Sequence, residues 1–82
     1  FDVGIYPNPS SGKLFLKTPV QGEKMGVQLF DVLGNCVYKQ QIISNSNAQL
    51  IDVSNLANGV YFVNIECKGK VSNTKLIIQN RN

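Results

Sequence analysis

The sequence predicts an all-β domain, a two-layer antiparallel sandwich of about seven short strands. Short runs of β-branched and aromatic residues recur every 8 to 14 positions, separated by glycine, asparagine, aspartate, serine and proline. No segment carries apolar residues at the helical spacing i, i+3, i+4 and i+7 for long enough to form a helix. The clearest alternation places Tyr61, Val63 and Ile65 on one face of a pleated strand, which is typical of a half-buried strand.

The predicted strands share this composition and are bounded by turn residues. They cover residues 3–6, 13–17, 26–31, 36–42, 49–53, 60–67 and 72–79. Leu14 and Leu16 alternate with lysines, and Val27 and Leu29 alternate with Gln28. Two stacked sheets about 10 Å apart would bury such faces against each other.

The first turn is a proline corner, which we define as residues 6–12, Tyr-Pro-Asn-Pro-Ser-Ser-Gly. Its two prolines restrict φ and remove two N–H donors, so this stretch is excluded from a helix interior or a central strand. Gly12 can take the positive φ that the following reversal needs. A binding loop and a structural corner between two strands would both fit these residues.

The later turns have their own signatures. The carboxylate of Asp31 can accept from N–H groups two or three residues on, while Gly34 supplies a left-handed position. Residues 68–70, Lys-Gly-Lys, predict a hairpin. Residues 52–59 form the longest connection, in which Leu56 can close the end of the sandwich before an asparagine-glycine pair returns the chain.

Composition bounds the class of protein. The chain of 82 residues makes one domain, residues 1–82, and its 43% hydrophobic content suits a packed core. The net charge is +3, but the lysines are spread out without arginine clusters or interleaved aromatics, which argues against nucleic-acid binding. No apolar run approaches the roughly 20 residues of a membrane-spanning helix. The first residue is not methionine, which indicates a piece of a longer protein.

The reactive residues argue against an enzyme and against a cofactor or metal site. The chain has no histidine, and its five acidic residues show no paired spacing. Cys36 and Cys67 lack the partners of a zinc site. In an oxidising compartment they would close a loop of about 31 residues with a disulfide contributing roughly 3 to 4 kcal/mol, and as free thiols they would be small core residues. The sequence leaves both outcomes open.

An adhesion or carbohydrate-binding module is the alternative function. Small β-sandwiches often carry such sites, and Tyr6, Tyr38 or Tyr61 offers a stacking ring. Tyrosines placed one per strand are more often cross-strand packing partners, and the chain has no tryptophan.

Four segments in order carry a family resemblance: YPNPSSG, FDVLGNCVY, IDVSNLANGVYFVNI and KLIIQ. Over residues 5–79 the chain resembles the type A C-terminal sorting domain of the type IX (Por) secretion system of Bacteroidota. The matching positions expected to determine the fold are Pro7, Asn8, Pro9, Gly12, Asp31, Gly34, Leu56, Gly59 and Tyr61. Those expected to meet a receptor, through an edge or face of the last strand, are Lys75, Leu76, Ile77 and Ile78.

The resemblance implies an immunoglobulin-like sandwich without catalytic activity or cofactor, at the C-terminus of an exported protein. It implies that a cargo in the same chain reaches the periplasm and crosses the outer membrane through the type IX translocon. A sortase-like component would then remove the domain and attach the cargo to the cell surface. Residues 1–4 would be the remnant of the linker to the cargo, and the proline corner would mark where that linker becomes a rigid domain.

Overall fold

A computed structural model describes residues 3–18, 21–44 and 48–79. These residues form seven strands: β1 (Gly4–Tyr6), β2 (Lys13–Lys17), β3 (Lys24–Phe30), β4 (Cys36–Ile43), β5 (Gln49–Asp52), β6 (Gly59–Cys67) and β7 (Lys70–Ile78). The all-β prediction is confirmed, and every predicted strand end lies within two residues of an observed one. Residues 1 and 2 of the expected linker remnant lie outside the described ranges.

The strands form two antiparallel sheets. The smaller sheet has the order β1-β2-β5, and the larger has the order β4-β3-β6-β7. The larger sheet therefore has β3 and β6 at its centre, while β4 and β7 are its edges. Within the described ranges, no helix has the length and hydropathy needed to cross a lipid bilayer.

The core lies between the sheets and is made of alternate residues of the strands, because successive side chains in a strand point to opposite faces. Its apolar members are Leu14, Leu16, Met25, Val27, Leu29, Ile51, Val53, Tyr61, Val63, Ile65, Cys67, Leu76 and Ile78. The alternation predicted for β6 is confirmed. Full burial of one leucine or valine side chain contributes about 1.5 to 3 kcal/mol, so these residues hold the two sheets together.

The hairpin expected at residues 68–70 joins β6 and β7, and its turn consists of Lys68 and Gly69. Lys68 and Gly69 have φ values of 51° and 77°, the left-handed pair of a type I′ turn, whose twist matches that of the flanking strands. Lys68 is also in an ion pair with Glu23, with 3.0 Å between Nζ and Oε1. This hairpin lies at the end of the sandwich opposite the proline corner.

The disulfide that the sequence left open is not formed, and both thiols are free. Cys36 pairs with Phe30, and Phe30 pairs with Phe62 on the other side, so Cys36 is level with Phe62 in the larger sheet. Cys67 lies five residues further along β6, which is about 16 Å at the rise of a β-strand. A disulfide needs Cα atoms about 4.4 to 6.8 Å apart, so this fold keeps the two cysteines apart.

Candidate functional site

The residues of the predicted motifs gather at one end of the sandwich. β6 begins and β7 ends there, because Gly59 pairs with Ile78. The β3–β4 turn lies at the same end, because Phe30 pairs with Phe62 near the start of β6. We call this region the motif end. It comprises the proline corner, residues 31–35, residues 53–58 and residues 75–79.

The proline corner begins with two cis peptide bonds, Tyr6–Pro7 and Asn8–Pro9. It then turns inward at Ser10, which is only 1% exposed. The Ser10 hydroxyl donates to the Lys13 carbonyl at 2.8 Å and accepts from the Gly12 N–H at 3.0 Å. Both hydrogen-bonding roles of this buried hydroxyl are therefore used in shaping the entry to β2.

The proline corner is hydrogen-bonded to the outer edge of β7. The Asn8 amide donates from Nδ2 to the Lys75 carbonyl at 2.8 Å and accepts at Oδ1 from the Ile77 N–H at 3.1 Å. The Ser10 N–H donates to the Ile77 carbonyl at 2.8 Å, and the Gln79 N–H donates to the Ser10 carbonyl at 2.7 Å. The corner thus acts as a short parallel strand on the last strand, bridging Ser10 and Ile78.

The corner covers only the C-terminal half of this edge. In an antiparallel ladder, the backbone groups of alternate residues face away from the partner strand. The N–H and C=O of Ile77 both face the corner, so those of Asn73 and Val71 face the same outer side. In residues 3–18, 21–44 and 48–79, these outer groups have no backbone partner. The outer edge of β7 is therefore hydrogen-bonded near the C-terminal end of the strand and has no backbone partner near its N-terminal end within the described residues.

The outer face of β6 and β7 carries a small apolar patch beside one cation. Phe62 pairs with Lys75, and Val60 pairs with Ile77. Phe62 is 45% exposed and Lys75 is exposed, while Val60 and Ile77 are half-buried. We call these four residues the Lys75 patch. It combines a charge with accessible apolar surface next to the corner.

The four expected receptor residues divide between the two faces of β7. Lys75 and Ile77 point outward, as described above. Leu76 and Ile78 are core residues with 0% and 1% exposure. Of these four residues, only Lys75 and Ile77 are accessible to a partner in the folded domain.

Gly12 packs against the connection between β5 and β6. Its φ is +114°, and a Cβ at this position would lie 2.7 Å from the Cα of Ser54. The Gly12 carbonyl accepts from the Val53 N–H at 2.7 Å. Glycine is thus required both by the backbone conformation and by the close approach of residues 53 and 54.

Two aspartates cap turns: Asp31 lies in the motif end, and Asp52 directly precedes its residues 53–58. Asp31 Oδ1 accepts from the Leu33 and Asn35 N–H groups, both at 2.9 Å, and these bonds, led by that of Asn35, lower the pKa of the Asp31 carboxyl. Asp52 Oδ1 accepts from the hydroxyl and N–H of Ser54, which lower the pKa of Asp52. Both turns therefore contribute stability above the usual carboxyl pKa of 3.8, and it is lost as the pH falls through the lower folded-state values.

The remaining motif residues close the end of the core. The Tyr61 hydroxyl donates to the Ala57 carbonyl at 2.6 Å, which ties β6 to the connection before it. Leu56 is half-buried and packs against the core, as expected of a residue that closes the sandwich. Gly34 has a φ of +87° in the Asp31 turn. That turn leaves Leu33 83% exposed, which the sequence did not indicate.

The alternative function relied on tyrosine stacking rings, and the three tyrosines do not form one exposed surface. Tyr6 stacks on Phe15 on the smaller sheet, with ring centroids 5.6 Å apart. Tyr38 is half-buried in β4, and Tyr61 is 7% exposed. Among the residues that the structure describes, no three acidic, cysteine or histidine side chains come together as metal ligands.

Replacing Asn8 with alanine should lower the free energy of unfolding by about 1 to 2 kcal/mol, because two hydrogen bonds to β7 are lost. Asn8→Asp should also destabilise at pH 7, since a carboxylate places a second acceptor against the Lys75 carbonyl. Protonation at pH 3 restores a donor, so the deficit relative to the wild type at the same pH should shrink. Urea unfolding followed by circular dichroism measures both variants.

The control for this experiment is Asn55→Ala, at an exposed turn asparagine of the motif end. It should change the free energy of unfolding by no more than about 0.5 kcal/mol. If Asn8→Ala cost no more than this control, the bonds between the proline corner and β7 would not stabilise the domain.

Comparisons with known proteins identify similar chains. The family model described as "Secretion system C-terminal sorting domain" matches residues 4–79. The chain is 35% identical over 78 residues to ulvan lyase NLR42 of Nonlabens ulvanivorans. That match covers 93% of this chain and 14% of the lyase, in its tail region. The chain therefore spans a small part of this relative.

A solved structure confirms the fold. A DUF3244 family protein from Bacteroides vulgatus, with an immunoglobulin-like β-sandwich fold, matches with a TM-score of 0.77. The match covers 94% of this chain and 83% of that one, at 18% sequence identity. At this level of identity, the likeness concerns the fold alone.

Proposed function

Because the chain belongs to the family of secretion system C-terminal sorting domains, we propose that it directs a cargo in the same polypeptide through the type IX outer-membrane translocon. A sorting tail of this family marks its cargo for secretion or for the cell surface. The tail itself is non-catalytic, and the activity of the similar lyase belongs to another part of that protein. The chemistry of the cargo is therefore separate from the domain described here.

The Lys75 patch is the surface that the translocon recognises. The observation that carries this proposal is the convergence of the motif residues around the last strand, where the proline corner fixes residues 75–79 by hydrogen bonds. This arrangement presents Lys75 and Ile77 in a fixed geometry beside Phe62. A preformed surface costs less conformational entropy on binding than a mobile segment.

A sortase-like component then removes the domain by cutting the segment that precedes β1, and anchors the cargo at the cell surface. The fold supports a cut at this position. After this segment the backbone is held by the β1–β2 ladder and by the proline corner, and a peptidase needs an unpaired extended segment.

Secretion of a reporter tests the proposal. The 82-residue chain, fused behind a periplasmic reporter in a type IX-competent cell, should carry the reporter to the medium or the cell surface. Lys75→Glu should reduce the exported fraction roughly tenfold, because it reverses the charge of the Lys75 patch. The matched control is Lys17→Glu, at an exposed lysine of the smaller sheet, which should export normally. Both variants should keep the urea midpoint of the wild type.

Two outcomes would contradict different parts of the proposal. A folded wild-type domain whose reporter stays in the periplasm would refute the sorting function. Equal export by the two lysine variants would refute the Lys75 patch as the recognition surface while leaving the sorting function intact.

A further inference from the structure

A glycine interrupts the outer face of the larger sheet at its centre. Gly26 is the third of the seven residues of β3 and lies directly opposite Gln41 on β4 and Glu66 on β6. Glycine weakens the interior of a strand, and it often marks a place where a ligand or another backbone comes close. No packing requirement explains it here, because a Cβ at Gly26 would meet no atom within 4 Å, and its φ is not in the left-handed region. The position therefore forms a notch in the sheet.

Polar side chains surround this notch. Gln28, the next outward residue of β3, is opposite Lys39 on β4 and Asn64 on β6. Asn64 is held in place because its Nδ2 donates to Asn73 Oδ1 at 2.8 Å. Because glycine has no side chain, these surrounding residues leave a depression of about 350 Å³ in the outer face of the larger sheet.

The side chains that line the depression indicate the class of ligand that fits it. Three amide side chains, those of Gln28, Gln41 and Asn64, can each donate and accept hydrogen bonds. One ammonium, Lys39, and one carboxylate, Glu66, balance in charge, so the site favours an uncharged ligand. A ligand rich in hydroxyl groups matches such a set, because each hydroxyl also donates and accepts.

We infer that this depression binds a neutral saccharide. The site is separate from the proposed sorting surface and uses none of the tyrosines considered for the alternative function. Binding here would hold the domain, with its cargo, to a glycan.

Titration of the ¹⁵N-labelled chain with cellotetraose, xylotetraose and mannotetraose, followed by NMR, tests the inference. At least one should give saturable shifts of the Gly26, Gln28 and Asn64 amides. Gly26→Thr fills the notch and should weaken this binding about tenfold or more. Threonine favours strands, so the same variant should raise the urea midpoint, which excludes unfolding as the cause. Gly4→Thr adds the same side chain to the outer face of the smaller sheet and should bind like the wild type.

Several results would overturn the inference. These are the absence of saturable shifts with all three tetrasaccharides, shifts centred elsewhere, and binding retained by Gly26→Thr. Tighter binding of a sulfated tetrasaccharide would also overturn the choice of a neutral ligand. Reporter secretion by Gly26→Thr should equal that of the wild type, so the failure of this inference and that of the sorting proposal are distinguishable.

Discussion

Replacing Gly12 with alanine should lower the free energy of unfolding by about 3 kcal/mol or more, a large share of the stability of a domain of this size. Two costs add at this position. A positive φ of +114° is unfavourable for any residue with a Cβ, and the new Cβ would lie 2.7 Å from the Cα of Ser54. The neighbouring atom is backbone, so the proline corner and the β5–β6 connection have to move apart. Urea unfolding of the purified domain measures the change.

Gly34→Ala is the matched control, because Gly34 also has a positive φ, of +87°, but no atom lies within 4 Å of its Cβ position. It should cost about 1 to 2 kcal/mol, which is the conformational penalty alone. Equal costs at Gly12 and Gly34 would show that the close approach to Ser54 is relieved easily. A larger cost at Gly12 would confirm that the motif end is tightly packed there.

Leu76→Ala should destabilise the domain by about 2 to 5 kcal/mol, because Leu76 is fully buried between the sheets and its truncation leaves a cavity. Ile77→Ala, one residue further on the same strand, should cost less than half as much, since its side chain is half-buried on the outer face. Thermal and urea unfolding of both variants test this contrast. Similar losses would mean that the Lys75 patch belongs to the folding core, and the division of β7 into a buried and an accessible face would fail.

The sequence predicted the strands well because their signal is local. Alternation of period two, with glycine, asparagine and aspartate between the runs, located all seven strands within two residues at each end. The turn residues were predicted for the same reason. The Asp31 and Lys68–Gly69 turns are formed by contacts between residues at most four positions apart.

The hydrogen bonds between Asn8 and β7 could not be predicted from local sequence patterns. Lys75 and Ile77 follow Asn8 by 67 and 69 positions. The order of strands in the sheets brings them together, and a local sequence pattern does not encode that order. The burial of Ser10 has the same origin. A serine within a proline-rich turn is typically exposed, and Ser10 is covered because its N–H and its carbonyl both pair with residues at the end of the last strand. The separation of Cys36 and Cys67 also depends on cross-strand register.

The residues expected to meet a receptor show how a family motif and surface accessibility can differ. The resemblance assigned the closing run from Lys75 to Ile78 as a unit, since a motif groups residues by position in the chain. The pleat of the strand separates them by face, so Leu76 and Ile78 lie in the core while Lys75 and Ile77 lie on the outer face. The sequence pattern did not indicate the depression at Gly26, because a single glycine does not disturb the alternation around it.

The proline corner lies near the start of the domain and β7 lies near its end. Their pairing therefore joins residues that the ribosome makes early to residues that it makes late. Residues 8 and 10 emerge early, but their bonds to residues 75, 77 and 79 form only after synthesis has passed Gln79. A polypeptide terminated early by a nonsense codon or a broken messenger RNA therefore never completes this domain. Under the proposed sorting function, export would be restricted to polypeptides whose translation has passed Gln79.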